Sequence, residues 1–126
     1  MENLTSGELE VMSVLWKHGS MKPAEIQKYF PRPIKNAALR SILLILLEKG
    51  HVRREKVGKA FYYTSKTPPQ NEFLSRIRRL AKTFFQGSPS NLVAQIIRNE
   101  KLSEQDISEL KKIVEEKARK LSKGDK

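Results

Sequence analysis

The side chains in this sequence best suited to chemistry are cations, not nucleophiles or metal ligands. Arg53, Arg54, Lys56 and Lys59 crowd one short stretch, and Lys35, Asn36, Ala37, Arg40 and Ser41 crowd another. Guanidinium and ammonium groups at that density suit phosphate oxygens. Presented from one helix, Arg can be bidentate to guanine and Asn to adenine, and an alanine methyl can meet the thymine methyl. Catalytic material is thin by comparison. His18 and His51 are the only two histidines, placed at an expected helix end and strand start, and there is no cysteine. That removes disulfides, thiolate metal sites and cysteine nucleophiles together. No metal-ligand spacing, nucleophile elbow or phosphate-cradling glycine loop is present. His18 reads better as a cation near a helix C-terminus than as a catalyst. The expectation is a binding protein with no catalytic residues, metal, cofactor or small-molecule substrate.

Composition points the same way. The 126 residues carry 25 Lys and Arg against 14 Asp and Glu, a net charge of +11. Up to Lys66 the count is 12 basic against 6 acidic residues, and beyond it 13 against 8, so the excess is not a basic tail. Such a chain seeks polyanions. Nucleic acid is the commonest of these, although ribosome binding, anionic lipid and simple solubility also fit the charge. The longest apolar run, Ile42-Leu-Leu-Ile-Leu-Leu47, falls far short of the roughly 18 residues of a membrane span. The start Met1-Glu-Asn-Leu-Thr-Ser lacks the basic-then-apolar order of a signal peptide, so a cytoplasmic protein is expected.

The elements that must position those cations follow from periodicity. Thr5-Ser-Gly-Glu8 has the form of a capping box, so a helix should start there, with Leu9, Met12, Leu15 and Trp16 as its apolar stripe, Val11 on the flank and Gly19 as a left-handed stop. Ser20 to Lys22 suffices only for an edge strand or turn. Pro23 opens a second helix, which Pro31 and Pro33 end. A third runs from Lys35 to Lys49, with Leu39, Ile42, Leu43, Leu46 and Leu47 on its buried side and Gly50 after it. His51–Lys56 and Ala60–Thr64 then alternate as a hairpin around Val57-Gly58-Lys59, where Gly58 permits a positive φ. Beyond the Ser65–Pro69 connector, helices are expected around Phe73 to Phe85, from Ser88-Pro89 onward, and from Ser103 with Asp106. Ser122 to Lys126 should be a frayed tail.

Three helices followed by a hairpin is the order of a winged helix-turn-helix, in which the third helix enters the DNA major groove and the hairpin is the wing. The fold class expected is mainly α with a small β-hairpin. A winged helix-turn-helix DNA-binding domain over residues 1–66 would precede a three-helix dimerisation region over residues 67–126. The DNA-binding candidates are Lys35, Asn36, Ala37, Arg40, Ser41, Arg53, Arg54, Lys56 and Lys59. Plainer roles stay open: a solvated charged edge for the hairpin, a surface ion pair for Arg40, a helix cap for Asn36. The later helices hold too little mass to enclose a core comfortably. Their stripes, Phe73, Leu74, Ile77, Phe84, Leu92, Val93, Ile96, Ile107, Leu110, Ile113 and Val114, are therefore expected to meet a second copy, setting two wings on two half-sites. Folding back onto the first domain as a monomer is the alternative. A winged-helix scaffold that docks a protein, and a nonspecific DNA-coating protein, are the rival functions; salt dependence and the ratio of specific to random affinity separate them.

The sequence also resembles the BlaI/MecI/CopY family of penicillinase repressors. The likeness is carried by Leu4-Thr-Ser-Gly-Glu-Leu-Glu-Val-Met-Ser-Val-Leu-Trp16, Ala37-Ala-Leu-Arg-Ser-Ile-Leu43, Leu46-Leu-Glu-Lys-Gly50 and Phe61-Tyr-Tyr63, then by Ala81-Lys-Thr-Phe84, Asn91-Leu-Val93 and Asn99-Glu-Lys-Leu102. What the resemblance implies is a dimeric winged-helix repressor on a palindromic operator, held together by its C-terminal helices. In the drug-responsive branch it further implies a membrane-bound sensor protease that triggers cleavage, which here aligns with Gln95-Ile96, where staphylococcal members carry Asn-Phe. The copper branch carries a C-terminal cysteine cluster, and this chain has no cysteine. The family often has a polar or basic residue at the position of Ile45, beside Leu44. Those two side chains would meet thymine methyls or a neighbouring helix, or else mark a different operator.

Overall fold

A computed structural model describes residues 3–124. The chain divides into two compact units, Met1–Arg76 and Ile77–Lys126. The division falls inside a helix, well past Lys66, because that helix's first two turns are bonded into the first unit.

Helix α1 (Ser6–His18) begins as its sequence dictates: the Thr5 hydroxyl accepts from the Glu8 N–H and the Glu8 carboxylate accepts from the Thr5 N–H. Gly19 ends it with φ 85° but ψ −152°, a glycine-only conformation outside the left-handed helical region expected there. Helix α2 (Pro23–Tyr29) has Pro23 in its first turn, where the missing N–H costs nothing, and Glu25 accepts from the Lys22 N–H at 3.1 Å. Helix α3 (Asn36–Lys49) closes on Gly50 at φ 82°, ψ 16°, a true left-handed cap. Its N-cap is Lys35. Asn36 is the first helical residue, so the capping role considered for it does not hold.

Leu39, Leu43 and Leu46 of α3 are fully enclosed against Val11, Met12 and Leu15 of α1 and Ile26 and Phe30 around α2, with Ile42 and Leu47 half-buried at the margins. Each such aliphatic side chain contributes about 1.5 to 3 kcal/mol by leaving water. The buried face of α1 is rotated from the expected stripe: Val11 and Val14 are inside, while Leu9 and Trp16 lie at its edge. Glu8 is buried too, and Lys49 reaches it at 2.7 Å while also donating to the Asn3 carbonyl.

Strands β1 (Val52–Val57) and β2 (Ala60–Ser65) pair antiparallel from Val52 with Ser65 to Val57 with Ala60. Val57 is thus a strand residue and the turn is Gly58-Lys59, with Gly58 at φ 65° as a tight hairpin requires. Met21 and Tyr63 exchange two backbone hydrogen bonds, so the segment before α2 forms a one-residue third strand that anchors the hairpin to the core. After β2, the indole N–H of Trp16 donates to the Thr67 carbonyl at 2.8 Å and the Ser65 hydroxyl at 3.1 Å. His51, expected to open the strand, is instead buried just before it, its Nδ1 2.7 Å from the Thr67 hydroxyl. Helix α4 (Pro69–Phe84) is tied down by Arg76, which pairs with Glu72 at 2.8 Å and donates to the Leu4 carbonyl at 2.9 Å.

The second unit takes the end of α4 and two more helices. The Phe85 and Gly87 N–H groups both donate to the Ala81 carbonyl as the backbone turns through Gln86 at φ 53° and Gly87 at φ 84°. Helix α5 (Pro89–Asn99) is capped by Ser88, and α6 (Glu104–Ser122) by the Ser103–Asp106 box. Ser122, expected in a tail, is the last residue of α6; Asp125 and Lys126, like Met1 and Glu2, lie outside the described residues. Neither α5 nor α6 buries a single side chain fully.

Candidate nucleic-acid interface

The leucine side of α3 fixes what its other side presents. With Leu39, Leu43 and Leu46 turned inward, Ala37, Arg40, Ser41, Leu44 and Glu48 face solvent and Asn36 is half-exposed. Lys35 is exposed just ahead of the helix. Arg40 donates through Nε to the Asn36 carboxamide oxygen at 2.6 Å, one turn back along α3. That contact uses Nε and not the two terminal nitrogens of the guanidinium. Its partner in that contact is a neutral amide and not a carboxylate. The Ser41 hydroxyl donates to the Ala37 carbonyl at 3.1 Å, so its hydrogen is occupied within the helix.

Strand alternation sorts the hairpin cations. Arg54 and Lys56 share a face with Phe61 and Tyr63, while Arg53 and Glu55 are on the other. The Arg54 guanidinium lies 4.3 Å from the centre of the Phe61 ring and donates to the Tyr63 hydroxyl at 3.3 Å; Lys56 lies 5.9 Å from the same ring. Cation–π contacts of this exposed kind are worth about 0.5 to 1 kcal/mol, enough to bias a long side chain toward one direction.

The start of α2, the outer side of α3 and the hairpin together wall an open cleft of about 400 Å³. Four cations line it: Lys22, Arg40, Arg54 and Lys59. Leu44, Phe61 and Ala60 supply apolar wall between them. Of the residues expected from sequence, the cleft unites Arg40, Arg54 and Lys59. Lys56 stands on the same hairpin face, Asn36 acts on Arg40, and Arg53 points from the opposite face. Lys22 was missed by sequence reasoning, although a lysine directly before a helix-opening proline was a usable signal. Phe61 was also missed as a partner of the cations; the two-residue turn at Gly58-Lys59 sets it opposite Lys56. Arg32 belongs elsewhere. Arg32 donates a bidentate hydrogen bond to the Glu10 carboxylate, as close as 3.0 Å, which raises its already high pKa and occupies it at the surface.

Among the described residues no group of His, Asp and Glu could hold a metal ion, and no helix is long and apolar enough to cross a membrane. The chemistry on offer is that of a cationic cleft with apolar walls, suited to an anionic partner. The family profile described as penicillinase repressor matches residues 4–116. The chain belongs to the penicillinase repressor family. It is 31% identical over 115 residues to the penicillinase repressor of Bacillus licheniformis, covering 90% of each chain. It is 26% identical over 116 residues to the methicillin resistance regulatory protein MecI of Mammaliicoccus sciuri, covering 90% of this chain and 94% of that one. Among solved structures, the DNA-binding domain of the repressor BlaI is similar with a TM-score of 0.50 at 31% identity, over 54% of this chain and 85% of that domain. YusO of Bacillus subtilis shares the fold with a TM-score of 0.52 at 20% identity, over 92% of this chain and 75% of its own. The penicillinase repressor family comprises DNA-binding transcriptional repressors, not enzymes; here α1 to α3 with the hairpin form the winged helix-turn-helix, and α4 to α6 follow it.

Proposed function

We propose that this repressor works in the cytoplasm as a homodimer that occupies a near-palindromic operator and excludes polymerase by bulk. The observation that carries the reading is the cleft where Lys22, Arg40, Arg54 and Lys59 converge between α3 and the hairpin. Its charge suits duplex phosphates. Arg40, steadied by Asn36, reads a guanine; Lys35, Ala37 and Ser41 flank it in the major groove; Arg53, Arg54, Lys56 and Lys59 meet phosphates. The second copy is called for by the second unit. Phe84 is 69% exposed and Ile113 is 61% exposed. Ile97, Ile107, Leu110 and Val114 line an open groove of about 430 Å³, almost wholly apolar. A helical unit that leaves such faces in water is completed by an equivalent face under two-fold symmetry, which doubles the DNA contact as well. Phe73, Leu74, Ile77, Leu92, Val93 and Ile96 would extend that interface.

Relief of repression would come from a membrane-bound sensor protease, with the Gln95–Ile96 bond as the cut. Both residues are exposed within α5, and Asn99 donates to the Gln95 carbonyl at 2.8 Å. Since proteases bind extended backbone, α5 must open locally before the bond can be cleaved. The test of the main reading is titration of the purified protein against fragmented host DNA at several salt concentrations. A sequence-selective complex that weakens by a log-log slope of about −0.9 per phosphate contact is the expected result. A salt-insensitive complex with protein alone would replace it by the docking scaffold, and equal affinity for all fragments by a DNA-coating role.

A further inference from the structure

The outer side of α3 is apolar where a phosphate-binding surface would be polar. Leu44 is 50% exposed and Ile45 41% exposed, although Leu43 and Leu46 beside them are fully enclosed. Leu44 is half-exposed and is not in open water. It forms part of the wall of the cationic cleft, together with Arg40, Arg54, Lys59 and Phe61. Ala37, Ser41 and Leu44 follow one another at i, i+4 and i+7 along the same outer strip. Between the two apolar side chains, the Ser41 hydrogen is already given to the Ala37 carbonyl. The strip therefore offers hydrocarbon to whatever lies in the groove, framed by positive charge.

Phosphates and sugars give hydrocarbon of that kind nothing specific to meet. On the major-groove edges of the base pairs, the one apolar group is the C5-methyl of thymine. We propose that Leu44 is a specificity-determining residue that packs on a thymine methyl in each half-site. This rests on the DNA-reading role of α3 proposed above and deepens it. The spacing is also constrained. Arg40 and Leu44 are four residues apart, about 6 Å along the helix, and successive bases on one strand are about 3.4 Å apart. The thymine should therefore lie within about two base pairs of the guanine that Arg40 contacts. Burial of one methyl accounts for a modest but measurable share of affinity.

The experiment starts from duplexes selected by the full-length protein from a random pool. Each thymine of the selected site is then replaced singly by uracil, which removes the methyl and leaves every hydrogen-bonding group in place. The expected result is a roughly 3- to 10-fold loss of affinity at one position per half-site, near a guanine, with little change at the other thymines. The variant L44A should bind the thymine duplex about as weakly as the wild type binds the uracil duplex, and should not distinguish the two. Because Leu44 is half-exposed, L44A should melt like the wild type, and the uracil series on the unaltered protein needs no variant. Selective binding that no uracil weakens would overturn the methyl contact and leave the repressor reading standing. So would a uracil effect that persists unchanged in L44A. A pool that yields no preferred sequence would overturn both.

Discussion

Glu8 is a buried carboxylate whose two partners come from the cap of its own helix and from the end of α3. Burial pushes its carboxyl up, but the hydrogen bond from Lys49, the Thr5 N–H and the Lys49 charge together outweigh that and hold it below the ordinary value. The unfolded chain then binds the proton first as pH falls. The stability Glu8 confers is fully present above the usual glutamate range near pH 4.3 and is lost as pH drops through the lower folded value. Glu8→Gln should lower stability by about 2 to 4 kcal/mol at neutral pH, since it leaves Lys49 without its charge partner. It should also flatten the acid limb of a denaturation curve, and an unchanged limb would contradict the assignment. Arg40→Ala should cost about 1 to 3 kcal/mol on selected operator DNA and little on random DNA if it reads a base. Equal losses would make it a phosphate contact. The Thr5–Glu8 box was legible in the sequence because its partners are three residues apart, whereas the pairing of Glu8 with Lys49 spans 41 residues and leaves no local trace. The Asn36–Arg40 contact, at helical i, i+4 spacing, was within reach of the same reasoning that considered Asn36 as a cap.

At the level of elements, the hairpin was the clearest feature from sequence, because β-branched and aromatic alternation around Gly58 admits few other structures. What alternation alone did not decide was which cations face α3. That depends on register, and register depends on the turn being two residues long. The consequence is measurable. Replacing Arg54 or Lys59 with Ala should reduce the salt slope of operator binding by about 0.9 each, if each neutralises one phosphate. Arg53→Ala, on the opposite face, should reduce it less. Equal effects of all three would mean that the duplex wraps both faces of the hairpin. The bridge from Met21 to Tyr63 was beyond sequence reasoning, since a strand of one residue has no periodicity to detect. The displaced stripe of α1 has a different origin: a helix packed on by α2, α3 and β2 buries more than one narrow side, so Val14 and Glu8 go inside alongside the expected Met12 and Leu15.

For the molecule as a whole, helices without a core of their own set the question of assembly. Ile113→Asp or Phe84→Asp places a charge on an apolar face that the proposed dimer covers. Either should separate the subunits and weaken operator binding in parallel, which sedimentation and DNA titration can follow on one sample. An intact dimer would overturn the assignment of that face. Trp16 offers a further vantage point. It is the sole tryptophan, and its indole N–H is bonded to the Thr67 carbonyl and the Ser65 hydroxyl, on the strap that leads from β2 into α4. The protein thus carries its own dye at that strap. Any ligand or cleavage event that lifts residues 65–67 away from α1 hands the ring to water and shifts its emission to the red, without a label and without disturbing the surface proposed to touch DNA.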